Sequence, residues 1–178
     1  FKKYFKNYDF HNLYKELLNF CTVDLSAFYF DIRKDCLYCD PQDSKKRQSS
    51  ILLLKVILSS LLRWFAPILS FTTEEIYKIV GNKKSIHLEK FINIPINFKN
   101  DNLNSKWLDL IKIRDVCNSS IEEKRAEKII GSSLEASIKI RLDKEKFKDY
   151  KDIDFEELCI TSNAKVEQSK NDKILVET

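Results

Sequence analysis

The chain has 178 residues, of which 43% are hydrophobic and 33% are charged. Thirty-one Lys and Arg residues oppose 27 Asp and Glu residues, which gives a formal net charge of +4. With only 2 Gly and 3 Pro, the composition excludes collagen-like, Gly-rich linker and Pro-rich disordered chains, and it favours helices. The five Cys residues are odd in number and irregularly spaced, which favours a reducing cytoplasmic compartment over a disulfide framework.

The sequence predicts neither a signal peptide nor a membrane span. Its most apolar stretch, residues 51–69, contains Lys55 and Arg63, whereas a membrane span needs about 20 mostly uncharged residues. We therefore interpret this stretch as the most buried helix of a helical bundle. The chain opens at Phe1 within a pattern and contains no Met, so we expect it to be a fragment of a longer protein.

Apolar residues at helical spacing predict four helices over roughly residues 10–80. Asp9 is expected to cap the first helix, and the second covers residues 24–39. We expect Pro41 to lie in the first turn of the third helix, where a missing N–H costs nothing. The third helix is predicted to extend to about Phe65.

The fourth helix is predicted from a capping box, because Thr72 and Glu75 have the T-x-x-E spacing. Gly81 is a suitable residue to end this helix. Residues 81–104 lack clear periodicity and predict a connector. A long fifth helix follows, with a densely charged end at residues 122–128.

The periodicity then changes from that of a helix to that of a strand. Residues 134–142 alternate between apolar and polar side chains, which predicts a half-buried strand. Weaker strands are predicted at residues 158–166 and 174–176, joined by a turn at Asn171 and Asp172.

The predicted fold class is therefore mainly α, with a helical bundle followed by a small α/β module of mixed helix and short strands. Three ranges describe this organisation: the helical-bundle domain at 1–92, the connector and long helix that complete the bundle at 93–131, and the α/β module at 132–178.

Patterns for catalysis and metal binding do not assemble in this sequence. His11 and His87 belong to different modules and have no nucleophile nearby. Cys36 and Cys39 form a single C-x-x-C pair, whereas a zinc site needs four ligands. Two glycines cannot form a G-x-G-x-x-G phosphate loop. We therefore assign no catalytic and no metal-binding residue, which disfavours a hydrolase or a redox enzyme.

Basic clusters are the candidate functional residues. Lys and Arg side chains neutralise phosphates, and a Tyr ring can stack on an unpaired base. Trp64 is expected to pack in the core. A solvated charged surface is the alternative, because acidic residues lie between the basic ones. The candidates are Arg33, Lys34 and Tyr38 in the second helix, Lys45, Lys46 and Arg47 at the start of the third, and Lys124, Arg125 and Lys128 at the end of the fifth.

Four strings of the sequence resemble the anticodon-binding region of bacterial isoleucyl-tRNA synthetases. They are VDLSAFYFDIRKDCLYCD at 23–40, RWFAPILSFTTEEIY at 63–77, SIHLE at 85–89 and KIIGSSLEA at 128–136. These strings occur in the order of the family. The valyl- and leucyl-type enzymes share the helical fold and part of the second string, whereas FYFDIRKDCLYCD favours the isoleucine enzyme.

The resemblance implies a class I aminoacyl-tRNA synthetase that, at full length, uses ATP and Mg²⁺ to activate isoleucine and esterifies it to tRNA(Ile). The family's HIGH and KMSKS signatures and its editing domain are not in this sequence, so we expect the fragment to bind tRNA and not to aminoacylate or edit. Family members usually end in a zinc module, but we expect this fragment to hold no cofactor. The expected partners are tRNA(Ile) and the other domains of the parent enzyme, in a monomeric, cytoplasmic protein without a membrane partner.

By analogy with related class I enzymes, Arg33, Lys34 and Tyr38 rank first as the surface that reads the anticodon. The other two basic clusters rank second, as contacts to the RNA backbone. Two alternatives remain open: a fragment of a valyl- or leucyl-type enzyme, and a helical protein-interaction module with no role in RNA binding.

Overall fold

The computed structural model describes residues 2–93, 98–169 and 174–178. The chain forms two units, residues 1–95 and residues 96–178. The first unit is helical, and the second combines helices with a three-stranded sheet. This architecture confirms the predicted mainly α fold with a small α/β module.

The described residues of the first unit form five α-helices and a π-helical segment. The π-helical segment covers Phe20–Phe30, and a 3₁₀ helix covers Ile86–Leu88. The α-helices are α1 (Lys2–Lys6), α2 (Phe10–Asn19), α3 (Asp31–Tyr38), α4 (Lys45–Phe65) and α5 (Ser70–Ile79).

The π-helical segment joins α2 to α3 without a break in the helical backbone. The prediction that a separate second helix begins near residue 24 was therefore wrong. A π-helix winds more widely than an α-helix, so the apolar face changes phase along the segment. Leu25 and Ile32 remain buried across this change. The shift in the spacing of the apolar residues nevertheless looks, in the sequence, like a boundary between two helices.

Side-chain caps set the starts of α2 and α4. The Asp9 carboxylate accepts a hydrogen bond from the Asn12 backbone N–H at 3.2 Å, which confirms the predicted cap. The start of α4 is instead capped by Ser44, whose hydroxyl accepts from the Arg47 N–H at 3.4 Å. The placement of Pro41 inside the first turn of this helix was therefore wrong.

The predicted capping box of α5 was also wrong, because the helix already begins at Ser70 and Thr72 lies inside its first turn. The cap position is occupied by Leu69, which makes no side-chain cap hydrogen bond. The other end follows the prediction: Gly81 comes directly after the cap residue and has a φ of +94°. Glycine adopts such a conformation without a steric penalty.

Helix α4 is less buried than the sequence suggested. Its fully buried residues are Ser50, Ser60 and Leu62, whereas Leu52 is 65% exposed. The expectation that this stretch is the most buried helix was therefore wrong. By length and composition alone, α4 would also be able to span a membrane. Its C-terminal end contributes to a buried cluster with α5 and the 3₁₀ helix, formed by Leu62, Ala66, Tyr77 and Ile86.

The second unit begins with the long helix α6 and continues with alternating strands and short helices. A 3₁₀ helix covers Ser133–Glu135. The elements are α6 (Asp101–Ala126), β1 (Ser137–Leu142), α7 (Lys144–Tyr150), α8 (Phe155–Cys159), β2 (Asn163–Gln168) and β3 (Leu175–Glu177). Helix α6 contacts α8 and β3.

The sheet has the order β2-β1-β3, with β1 parallel to β2 and antiparallel to β3. The strand predicted at residues 134–142 is confirmed from Ser137 onwards, where Ile138, Ile140 and Leu142 are all buried. Its predicted start was wrong, because Leu134 lies in the 3₁₀ helix and is 56% exposed. The last two strands, β2 and β3, both pair with β1. The turn predicted at Asn171 and Asp172 lies outside the described residues.

The strand predicted at residues 158–166 also needs a correction. Its first part forms helix α8, and β2 begins only at Asn163. The Asp154 carboxylate caps α8 by accepting from the Glu157 N–H at 2.9 Å. This cap favours a helix over an early start of the strand.

Candidate nucleic-acid interface

The end of α3 and the start of α4 are held together by the α3–α4 turn (residues 39–44). Arg47 Nη1 donates a hydrogen bond to the Asp40 backbone oxygen at 2.8 Å. The Ser44 hydroxyl lies 3.1 Å from Asp40 Oδ2. Because these contacts close the turn, Tyr38 and the first residues of α4 lie at the same end of the first unit.

Helix α3 carries the three residues that ranked first. Lys34 and Tyr38 are four residues apart and therefore share one face of the helix. The Tyr38 side chain is 86% exposed, so its ring is accessible for stacking. Lys34 is exposed and lies 3.4 Å from the Asp31 carboxylate. Arg33 is half-buried and presents less of its side chain to solvent.

The basic residues at the start of α4 lie at the positive end of the helix dipole. Lys45 and Lys46 are exposed, and the described first turn of α4 contains no Asp or Glu. Positive charges at a helix N-terminus are unfavourable by about 0.3–1 kcal/mol each. The same arrangement attracts anions such as phosphate, because the backbone N–H groups at the helix start and the lysines both produce a positive potential there.

Arg47 differs from its two neighbours in this cluster. It is half-buried, and its guanidinium is used in the bond to the Asp40 carbonyl oxygen. Arg47 therefore positions the α3–α4 turn, whereas Lys45 and Lys46 are exposed at the start of α4.

The third predicted cluster lies in the second unit, at the end of α6. Lys124 Nζ lies 3.0 Å from a Glu127 carboxylate oxygen, and Arg125 Nη1 lies 2.6 Å from Glu122. Cations near a helix C-terminus interact favourably with its dipole. Helix stability thus accounts for Lys124 and Arg125 without an RNA ligand.

Lys128 follows α6 in a left-handed backbone conformation with a φ of +60°. Its N–H donates to the Arg125 carbonyl oxygen, and the Ile129 N–H donates to the Lys124 carbonyl oxygen, both at 3.0 Å. This is the pattern of a Schellman motif, in which glycine usually occupies the position of Lys128.

The comparison with known proteins identifies the family of this chain. Residues 1–140 match the family described as the anticodon-binding domain of tRNA ligase. The chain belongs to this family.

Its relatives include bacterial isoleucine–tRNA ligases. The protein of Pelagibacter ubique is 63% identical over 179 residues, which cover 100% of this chain and 20% of the relative. The protein of Agrobacterium fabrum is 43% identical over 157 residues, which cover 87% of this chain and 16% of the relative. The chain thus spans about a fifth of the length of these relatives. The resemblance seen in the sequence is confirmed, and the valyl-type, leucyl-type and non-RNA alternatives are not favoured.

For an anticodon-binding domain, the α3–α4 turn combines the two kinds of group that RNA recognition requires. Lysines at the start of α4 suit phosphates, which position an RNA, and an exposed ring on α3 suits an unpaired base, which supplies sequence information. Asp40 was not predicted to take part in this arrangement. Its role depends on a backbone oxygen, so no side-chain pattern indicates it.

Cys36 packs beneath the same turn. It is 4% exposed, and burial together with the neighbouring Asp40 carboxylate raises the pKa of its thiol. Cys39, its partner in the C-x-x-C pair, is exposed. Within the described residues no group of three or more His, Cys, Asp or Glu side chains is placed to hold a metal ion.

Proposed function

We propose that this chain is the anticodon-recognition part of an isoleucine–tRNA ligase. The observation that carries the proposal is the match of residues 1–140 to the anticodon-binding family, together with relatives named isoleucine–tRNA ligase. In the proposed parent protein, isoleucine is activated with ATP and Mg²⁺ and is then esterified to tRNA(Ile). This chain supplies recognition of the tRNA, and the bond-making residues lie elsewhere in the parent.

The proposed contacts divide by chemistry. Lys34, Lys45 and Lys46 neutralise phosphates of the anticodon stem-loop and release counterions. Tyr38 stacks on an unpaired base of the loop, as aromatic side chains do in single-stranded RNA recognition. Arg33 supports this surface from its half-buried position. The end of α6 is a second proposed contact with the RNA backbone, through Lys124, Arg125 and Lys128.

The remaining parts of the proposal concern the parent protein. We propose that ATP, Mg²⁺ and a zinc module belong to its other domains, and that this chain itself binds no cofactor. Its partners are tRNA(Ile) and those other domains. The protein is proposed to act as a monomer in the cytoplasm.

A filter-binding titration tests the proposal, with tRNA(Ile) against a non-cognate tRNA at two salt concentrations. We expect the cognate tRNA to bind more tightly, because base contacts discriminate whereas phosphate contacts do not. Charge reversal at both Arg33 and Lys34 should weaken binding several-fold. It should also flatten the salt dependence, since each lost phosphate contact lowers the slope by about 0.7 for single strands and about 0.9 for a B-form duplex.

A matched control is Lys148→Glu, which reverses the charge of an exposed lysine on α7 in the second unit. This variant should bind tRNA(Ile) as the unmodified chain does. If Lys34→Glu and Lys148→Glu lose the same amount of affinity for tRNA(Ile), the effect comes from the net charge of the chain, and the assigned surface is contradicted. Equal affinity for cognate and non-cognate tRNA would contradict the proposed recognition of tRNA(Ile).

The role of Tyr38 is tested by a pair of substitutions. Tyr38→Phe keeps the ring, whereas Tyr38→Ala removes it. Stacking of a base on an aromatic ring is worth about 1–3 kcal/mol by alanine substitution, so Tyr38→Ala should weaken binding at least fivefold while Tyr38→Phe binds normally. Because Tyr38 is 86% exposed, neither change should affect folding.

A further inference from the structure

An open pocket of about 600 Å³ lies beside α1 in the first unit. It lies outside the α3–α4 turn, since its lining comes from α1, from the end of α4 and from residues 91–93. Trp64, which the sequence analysis assigned to the core, is half-buried and lines this pocket. The volume falls within the range of about 300–1,000 Å³ that is typical of small-ligand sites.

Aromatic rings form the walls of this pocket. Phe5, Trp64 and Phe91 all line it. The rings of Phe5 and Phe91 meet edge to face, with centroids 4.9 Å apart and an interplanar angle of 89°. This contact fixes the orientation of Phe91, whose side chain is nevertheless 43% exposed. A flat aromatic ligand can therefore reach a preformed aromatic surface.

Two lysines lie at the rim of the pocket. Lys2 and Lys6 are four residues apart on α1, so their exposed side chains share one face of the helix. Asn93 adds an amide that both donates and accepts hydrogen bonds. Among the described residues that line the pocket there is no Asp or Glu. The charge therefore favours an anionic ligand.

We infer that this aromatic pocket binds an unpaired nucleotide of an RNA. The rings accept the base by stacking, and the two lysines neutralise the adjacent phosphates. An apolar protein segment could pack against the rings, but it would have no negative charge to interact with Lys2 and Lys6. The inference rests on the proposed tRNA binding and adds to it a second contact, distinct from the α3–α4 turn.

Fluorescence of Trp64 provides a direct test. The chain contains two Trp residues, so Trp107→Phe leaves Trp64 as the single tryptophan. We expect saturating tRNA(Ile), or a single-stranded RNA oligonucleotide, to quench this fluorescence by stacking, whereas a duplex of the same sequence does not. Unchanged fluorescence with saturating tRNA(Ile) would overturn the inference. The double variant Trp64→Phe, Trp107→Phe confirms the origin of the signal.

Binding measurements with two double variants give an independent test that does not depend on Trp107→Phe being folded. Replacing Lys2 and Lys6 with Gln should weaken tRNA(Ile) binding at least threefold and lower the salt slope by about 0.7 for each lysine. The matched control replaces Lys144 and Lys148 with Gln, since these exposed lysines are also four residues apart on a short helix. The control should bind normally.

The outcomes separate this inference from the proposed function. If the Lys2 and Lys6 variant binds like the control while Lys34→Glu still weakens binding, the pocket is not an RNA contact and the proposed function stands. If the unmodified chain does not bind tRNA(Ile) at all, the proposed function fails as well. Phe91→Leu completes the test, because it keeps an apolar side chain but removes the ring, and we expect it to reduce both binding and quenching.

Discussion

The guanidinium of Arg47 donates a 2.8 Å hydrogen bond to the backbone carbonyl oxygen of Asp40, seven residues earlier in the chain. This bond closes the α3–α4 turn from the side of α4, and the Ser44 hydroxyl contacts the Asp40 carboxylate as well. The adjacent Lys45 is exposed. Neighbouring cations of one cluster therefore differ: Arg47 holds the turn, whereas Lys45 is the residue proposed to bind RNA.

We expect the two roles to separate in substitutions at these positions. Arg47→Ala removes a hydrogen bond made by a charged group and should lower the free energy of unfolding by about 1.5–3 kcal/mol. Lys45→Ala should leave it unchanged or slightly higher, because a positive charge leaves the positive end of a helix dipole. Urea unfolding measures both values.

Under conditions where both variants are fully folded, we expect Lys45→Ala to lose more affinity for tRNA(Ile) than Arg47→Ala does. Lys45→Ala should weaken binding several-fold with a flatter salt dependence. If Lys45→Ala destabilises the chain as much as Arg47→Ala does, the division between the two residues is wrong.

Some parts of the fold were predictable from local patterns, although the capping box predicted for α5 and the predicted placement of Pro41 were wrong. The alternation of Ile138, Ile140 and Leu142 matches their burial in β1, and Asp9 caps α2 through a contact three residues away. The pairing of β2 with β1 was not predictable in this way. Parallel pairing joins segments that are distant in sequence, such as Ile138 and Ala164, and no local signal determines it.

The candidate site shows the same division between local and distant information. Residue type and helical spacing were sufficient to select Lys34 and Tyr38, which share an exposed face of α3. They were insufficient for Arg47, whose partner is a backbone oxygen, and for Lys128, whose positive φ depends on how α6 ends. Three basic residues in a sequence look alike until their partners are known.

Lys128 provides a stability prediction. A residue with a side chain is disfavoured in the left-handed region by about 1–2 kcal/mol, and part of this penalty is offset because glycine is more flexible when unfolded. Lys128→Gly should therefore raise the free energy of unfolding by about 0.5–1 kcal/mol. Lys128→Ala is the control, because it removes the same charge but keeps the backbone penalty. Equal urea midpoints for the Gly and Ala variants would contradict this explanation.

Glu74 holds the connector between α5 and the 3₁₀ helix. Its Oε2 accepts hydrogen bonds from the Ile86 N–H at 2.9 Å and from the Ser85 hydroxyl at 2.8 Å. Lys78 Nζ lies 3.1 Å from Oε1. The backbone N–H of Ile86, followed by the Ser85 hydroxyl, stabilises the carboxylate and lowers the pKa of Glu74.

This lowered pKa predicts a pH dependence of stability. The Glu74 carboxylate binds a proton more readily in the unfolded chain than in the folded one. Its ionised form therefore adds to the free energy of unfolding, and this contribution is fully present above the unfolded pKa of about 4.3. The contribution is lost as the pH falls through the lower folded pKa. We expect Glu74→Gln to be less stable than the unmodified chain at pH 6 and the difference to shrink towards pH 3. Urea unfolding across this range measures it, and a difference that is constant with pH would exclude the ionised carboxylate as its cause.

The cysteines differ in access to solvent. Cys39 is exposed, whereas Cys36, Cys117 and Cys159 are buried. A hydrogen bond to Cys159, together with burial, raises the pKa of the Cys117 thiol. Since the thiolate is the reactive form, Cys117 should be alkylated by iodoacetamide only after unfolding, whereas Cys39 reacts in the folded chain.

Cys39 directly follows Tyr38, so its alkylation also reports on the proposed RNA surface. We expect saturating tRNA(Ile) to slow the modification of Cys39, because an RNA stacked on Tyr38 covers the α3–α4 turn. The rate is measured by mass spectrometry of peptides after timed alkylation, with Cys39→Ser identifying the fast-reacting thiol. A non-cognate tRNA at the same concentration is the control and should protect less. If Cys39 reacts at the same rate with and without saturating tRNA(Ile), the α3–α4 turn does not lie in the interface, whatever the affinity of the chain.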